Sequence, residues 1–317
     1  MDIGFNNMKN DTKKTNNCNE NGKNFVTGDT HGTYDIKKIH KWYNKALKKY
    51  NFDEDKKNNL FILGDWGALW HEKHEPHKFK KDLELQLKYA KKKYQLFVIP
   101  GNHENYNLIN QLPIVEKFGG KMRKLTPYSP YNPDKYYGDI YLLERGEIYT
   151  INGQKILALG GALSQDRSLR TLNVDYWEEE LWSIQEEYNC LDNLDKHNWN
   201  VDIVLSHTCP SFVGNYYLHK LHGNNFNIFG KNNGKTKEPT SVFFEHLIKE
   251  GLEFKEWHFG HWHDDFLFSF SKDEINKLIL NDKDFHENKN FAFAEIKTNE
   301  HIYKFQCHYL KAPHLIN

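Results

Sequence analysis

Arginine is scarce in this sequence. Of 43 basic residues only Arg123, Arg145, Arg167 and Arg170 carry a guanidinium, and the rest are lysine. Forked, bidentate recognition of phosphate is therefore confined to few places. Cysteine is scarce too. Cys18, Cys190, Cys209 and Cys307 show no short pairing pattern and no Cys-x-x-Cys, so they read as reduced thiols of an intracellular protein. No apolar run approaches the roughly 20 residues of a membrane span. The Asn- and Lys-rich first 23 residues lack the apolar segment of a secretory signal. The expectation is a soluble, cytoplasmic chain with no membrane partner. There is no excess of either charge, since 43 acidic residues balance 43 basic ones. That balance argues against a generally basic nucleic-acid surface. Internal repeats are absent, and no clean linker follows residue 24.

What is present is enough apolar material for a large core. Hydrophobic residues make up 38% and aromatic residues 15% of 317 positions, a length that suits one large α/β domain or two small ones. Residues 1–23 lack periodic apolar positions and are expected to be a disordered tail. Residues 24–317 are expected to form the folded domain. Within it the segment 208–240, rich in Asn and Gly, reads as a long loop and a candidate lid, because it follows His207 directly.

The pattern along the first half is repetitive. Apolar residues at helical spacing from Ile36 to Tyr50 predict a helix, and the charged stretch 76–94, with Leu83, Leu87 and Ala90, predicts another. Before the first helix, Phe25 and Val26 are β-favouring residues that run into a glycine turn, and between and after the helices Leu60–Leu63 and Leu96–Pro100 read as short buried strands. Each predicted strand runs into glycine followed by polar residues: Gly28-Asp29-Thr30-His31-Gly32, Gly64-Asp65, and Gly101-Asn102-His103-Glu104. In open α/β sheets, sites gather outside the carboxyl ends of the strands, and the βαβαβ order implies parallel pairing. The second half reads as more β-rich. Strands are expected near 140–143, 147–151, 156–159, 201–205, 256–259, 266–270, 291–296 and 302–308, with helices at 175–196 and 240–251. Two further polar motifs lie there, Ser206-His207 and Gly260-His261-Trp262-His263. Together the stretches supply two Asp, one Asn and four His, the oxygen and nitrogen donors suited to Mn, Fe, Zn and similar divalent ions.

The ordered set Gly-Asp-x-His-Gly, Gly-Asp, Gly-Asn-His-Glu, His, Gly-His-x-His resembles the calcineurin-like metallophosphoesterase superfamily, from Gly28 to His263. The resemblance implies an α/β fold, a four-layer α/β/β/α sandwich of two mixed β-sheets flanked by helices. It implies two divalent metal ions, with Mn²⁺ expected and Fe, Zn, Ni or Co as alternatives. Asp29, His31 and His263 would bind the first ion and Asn102, His207 and His261 the second, with Asp65 bridging. A metal-bridging hydroxide would attack phosphorus, and His103 would hydrogen-bond the phosphate or protonate the leaving group. Glu104 is expected to orient an imidazole.

Phosphoprotein phosphatases of this superfamily extend the second motif with Asp-Arg-Gly. Here Asp65 is followed by Trp66-Gly67, which counts against that subtype. The stretch from Gly160 to Arg170, followed by Trp177 to Glu180, is similar to a segment of bacterial and phage-type metallophosphoesterases. It makes Arg167 and Arg170 candidates for binding the substrate phosphate. The expected activity is phosphoester hydrolysis on a phosphorylated substrate of open class. A serine/threonine phosphoprotein phosphatase and a nucleotide or nucleic-acid phosphatase are the alternatives, and a non-catalytic metal-binding scaffold ranks last.

Overall fold

A computed structural model describes residues 22–52, 58–222, 238–280, 301–309 and 313–316. The expected N-terminal tail falls almost wholly outside the described residues, as does the strand expected at 291–296. In chain order the first part contains β1 (Asn24–Thr27), α1 (Ile36–Tyr50), β2 (Asn59–Leu63), α2 (Pro76–Ala90), β3 (Gln95–Ile99) and α3 (Tyr106–Asn110). It continues through β4 (Ile114–Lys117), β5 (Gly120–Leu125) and β6 (Ile140–Leu143). The second part contains β7 (Ile148–Ile151), β8 (Gln154–Leu159), α4 (Ile184–Lys196), β9 (Ile203–Ser206), α5 (Ser211–His222) and α6 (Pro239–Lys249). It ends with β10 (Glu256–Phe259), β11 (Phe266–Ser271), α7 (Lys272–Leu280), β12 (Ile302–Cys307) and β13 (His314–Ile316).

The strands form two mixed sheets, ordered β13-β1-β2-β3-β6-β5-β4 and β11-β12-β10-β9-β8-β7. Side-chain alternation along each strand builds the layers. Leu60 and Ile62 of β2 face a cluster with Ile39, Trp42 and Ala46 of α1 and Leu85 and Tyr89 of α2. Their neighbours Phe61 and Leu63 face a second cluster shared with Ile203 and Leu205 of the other sheet. On the far side, Val204, Trp257 and Phe305 pack against α4, α5, α6 and α7 through Leu194, Phe212, Phe244 and Leu278. The result is the α/β/β/α sandwich. Among the described residues no helix is long and apolar enough to cross a membrane.

Parallel pairing sets where the site forms. β1, β2, β3 and β6 run parallel, with Thr27 opposite Ile62 and Leu63 opposite Ile99. In the second sheet β8, β9 and β10 also run parallel, with Leu159 opposite Ser206. Each sheet therefore brings the carboxyl ends of its parallel strands level with one another, and the motifs follow those ends.

Three expectations need correction. The expected loop 208–240 is helical at both ends: Ser211–His222 is α5 and Pro239 opens α6. Residues 223–237 lie outside the described residues. The α5 sequence looks loop-like because of its Gly and Asn, but burial of Phe212, Val213 and Tyr216 outweighs weak propensity. Gly214 is required there, since a Cβ would press 2.7 Å from the Trp262 ring. The helix expected from residue 175 begins only at Ile184, where Ser183 and Glu186 form a reciprocal capping box. Before it, Glu178–Glu180 is a single 3₁₀ turn. The β-rich reading of the second half also missed α7, which packs Ile275 and Leu278 into the outer core.

Candidate metal centre

The expected ligands meet at the carboxyl edge of the two sheets. Asp29 and His31 follow β1, Asp65 follows β2, and Asn102 and His103 follow β3. From the second sheet, His207 follows β9, and His261 and His263 follow β10. The turns that aim them are conformationally costly. His31, Asp65, His261 and His263 all have positive φ, 44°, 48°, 66° and 50°. Non-glycine residues seldom adopt this region, and such strain collects at functional sites. Gly64, at φ +92°, is also needed for space, because a Cβ there would overlap His207 Nδ1.

Two groups can be distinguished. Asp29, His31 and His263 each offer a ligand atom, all within 4.8 Å of one another. His263 Nε2 is 2.9 Å from Asp29 Oδ2, and the His31 and His263 rings meet edge to face at 5.0 Å. On the other side, His207 Nε2 is 2.8 Å from Asn102 Oδ1, and the His207 and His261 rings meet at 4.9 Å. Asp65 lies between the groups. Its Oδ2 is 3.6 Å from His31 Nε2, and its Oδ1 is 3.3 Å from His207 Nε2. The same Oδ1 accepts the His103 backbone N–H at 2.8 Å.

The protonation pattern bears on whether a cation fits. His207 Nδ1 is 2.7 Å from the Leu63 carbonyl oxygen. A carbonyl can only accept, so Nδ1 carries a proton, and in the neutral ring that metal binding requires Nε2 presents a lone pair. That lone pair faces two more acceptors, Asn102 Oδ1 and Asp65 Oδ1. With the ring neutral these converging acceptors have no donor between them, and a cation there resolves the conflict. Asp29 and Asp65 are both essentially buried, 0% and 1% exposed. Among the described residues the ion-pair partners recorded for them are imidazoles rather than Lys or Arg. Two buried carboxylates, one amide oxygen and four imidazoles form a donor set that fits divalent ions.

The electrostatics follow this crowding. Burial alone would raise the Asp65 carboxyl, but in the metal-free site the charge that His207 carries when protonated and the hydrogen bond from His31 hold it far below the usual range. Burial pulls His261 down to about 4, and the neighbouring His207 adds to the effect. Burial also lowers His103, against the attraction of Asp65. Burial would lower His31, but the hydrogen bond to Asp65 and the charges of Asp65, Asp29 and Asp35 together raise it. Glu104 is pushed well up by burial and then by the charge of Asp65. Its expected imidazole partner is not what it holds. Glu104 Oε1 accepts the Trp66 backbone N–H at 2.7 Å, so it braces the turn that carries Asp65.

The two candidate arginines separate. Arg170 spends Nε on Asp166 at 2.7 Å and Nη1 on the Asp175 carbonyl at 2.8 Å. Its Nη2 reaches to 3.4 Å from His103 Nε2, beside the centre. Arg167 turns away, with Nε 3.1 Å from Glu180 Oε1 and its guanidinium 4.8 Å from the Tyr176 ring centroid. Sequence reasoning missed three neighbours. Ser164 accepts from Asn102 Nδ2 at 3.0 Å and donates to Glu180 Oε2 at 2.7 Å. Tyr309 stacks on His263 with ring centroids 4.6 Å apart. Ser164 and Glu180 lie inside the family-like stretch 160–180, where only the arginines stood out as candidates, and a tyrosine near the C-terminus carries no motif.

A model of the calcineurin-like phosphoesterase family matches residues 23–286 of the chain. No curated protein matches it. Among solved structures, the chain is similar to the phosphopantetheinyl hydrolase PptH from Mycobacterium tuberculosis. The two share 11% identity, the match covers 78% of this chain and 85% of that one, and the TM-score is 0.30.

Proposed function

Because this chain belongs to the calcineurin-like phosphoesterase family and is a metal-dependent phosphoester hydrolase, we propose that it works with a pair of divalent cations, Mn²⁺ in the first instance. Asp29, His31 and His263 hold one cation and Asn102, His207 and His261 the other, with Asp65 shared. The observation that carries this reading is the place of Asp65, with one oxygen toward His31 and the other toward His207. Bound divalent cations supply Lewis acidity and, from water at neutral pH, the nucleophile for phosphorus.

The side chains do the rest. Asp29 and Asp65 provide buried negative charge that offsets part of the cations' charge. The His103 backbone N–H fixes Asp65 Oδ1, and the His103 ring is assigned to the substrate phosphate or to proton delivery at the leaving oxygen. The Arg170 guanidinium, held by Asp166 and the Asp175 carbonyl, is assigned to a phosphate oxygen. Arg167 supports the loop and is not assigned to substrate. The substrate is a phosphorylated compound, monoester or diester. The phosphoprotein-phosphatase subtype is disfavoured, because the residue after Asp65 is Trp66, fully buried and packed on Tyr89, where that subtype presents an arginine.

The test is hydrolysis of p-nitrophenyl phosphate and bis(p-nitrophenyl) phosphate with Mn²⁺, and then with the alternative metals Fe, Zn, Ni and Co. Chelation should abolish turnover. Asp65→Asn should lower kcat/KM by about 10³-fold or more, about 4 kcal/mol of transition-state stabilisation. Turnover that survives both chelation and Asp65→Asn contradicts the reading.

A further inference from the structure

Among the expected ligands, Asn102 alone depends on which way an amide is turned. Its oxygen can ligate a cation. Its nitrogen cannot, because it presents two hydrogens and no free lone pair. Behind Asn102 runs a buried chain of hydrogen bonds. Asn102 Nδ2 donates to Ser164 Oγ at 3.0 Å, and Ser164 Oγ donates to Glu180 Oε2 at 2.7 Å. The Ser164 backbone N–H donates to Glu180 Oε1 at 3.1 Å, and Arg167 Nε lies 3.1 Å from that oxygen. Ser164 is 3% exposed and Glu180 0%, so water does not substitute for either partner.

The direction of each bond follows from the last member. A carboxylate beside a guanidinium only accepts. The hydroxyl hydrogen of Ser164 is therefore committed to Glu180, and its oxygen has only lone pairs left. Facing lone pairs, Asn102 must turn its NH₂ to Ser164, which sends Oδ1 toward His207 Nε2 at 2.8 Å. We infer that Glu180, acting through Ser164, is a positioning residue that locks the Asn102 amide with its oxygen toward the second cation. The inference rests on the two-cation reading above. It also ties the 160–182 arm that carries Arg170 to the ligand set.

The experiment measures Mn²⁺ binding to metal-free protein by calorimetry and by competition with a chelator. Glu180→Gln keeps the size but introduces an NH₂ that can donate to Ser164. The serine hydroxyl is then released to donate to Asn102, and the amide can turn. Ser164→Ala cuts the chain outright and carries the test if Glu180→Gln fails to fold. Each single variant should weaken one of two Mn²⁺ ions by about 10- to 100-fold, the usual cost of losing a ligand-orienting partner, and leave the other unchanged. The double variant should be no worse than Ser164→Ala. In an Asn102→Asp background, where the two carboxylate oxygens are equivalent, Glu180→Gln should have no further effect. Unchanged affinities in both single variants overturn the inference. So do equal losses at both ions, or losses that add in the double variant. Wild-type protein that binds fewer than two Mn²⁺ contradicts the two-cation reading and takes this inference with it, so the two failures are distinguishable.

Discussion

At the scale of single residues, the centre trades backbone comfort for aim. His31, Asp65, His261 and His263 sit in left-handed conformations that cost on the order of 1 kcal/mol or more each. The adjacent Arg170 is set in position by three separate contacts. Arg170→Ala is expected to raise KM for a small phosphoester by about 10- to 100-fold, the ~1.5–3 kcal/mol of a charge-assisted hydrogen bond. Arg170→Lys should recover only part of this, since a point charge cannot reproduce the fork. Steady-state kinetics on both variants checks it, and an unchanged KM removes Arg170 from the substrate. The expected ligands were legible in the sequence because each lies within a few residues of a strand end, so local pattern suffices. Ser164 and Glu180 were not, because their meaning lies in one hydrogen-bond chain between residues 62 and 16 positions apart.

At the scale of elements, strand ends and their turns matter more than the helices. The turn after β2 has room for His207 only because residue 64 lacks a side chain. Gly64→Ala forces both a left-handed alanine and an overlap with His207. It is expected to destabilise by about 2–4 kcal/mol and to abolish turnover, read by thermal melting and assay. Glu256 on β10 illustrates a different cost. Its carboxyl is held at about 2, first by the hydrogen bond with His258 and further by Lys304 across on β12. A carboxyl depressed in the fold contributes stability above its unfolded value and loses it as pH falls. Glu256→Gln should therefore remove on the order of 1 kcal/mol at neutral pH, after solvent screening of this partly exposed group. It should also flatten the loss of stability between about pH 4.5 and 2, as followed by denaturant melts across that range. The helix over 36–50 and the strands at 60–63 and 96–99 were legible because period and burial agree there. The β4–β5 hairpin was not. Its turn is Phe118-Gly119, with both φ positive, 58° and 90°, and a phenylalanine conceals a turn that Asn-Gly would have announced.

At the scale of the whole molecule, the site exists only where two sheets close on each other. The first sheet supplies Asp29, His31, Asp65 and Asn102, and the second supplies His207, His261 and His263. The layer between them is apolar, with Phe61 stacked on Phe97 at 4.9 Å. Phe61→Ala is expected to cost about 3–5 kcal/mol. Loss of turnover on heating should coincide with loss of tertiary structure, compared by near-ultraviolet circular dichroism and assay. Activity that outlasts the fold would separate the site from the sandwich. Most strands of the parallel cores were readable from local runs, but the order of strands within a sheet depends on pairings such as β1 with β13, almost 300 positions apart. Family resemblance, not periodicity, suggested the sandwich.

The central claim is that seven side chains from two sheets hold two cations with Asp65 between them. Anomalous diffraction from crystals grown with Mn²⁺ tests it most directly. The account predicts two peaks, about 3.5–4 Å apart, one against Asp29, His31 and His263 and the other against Asn102, His207 and His261, with an Asp65 oxygen touching both. A single peak, or peaks away from Asp65, would contradict it.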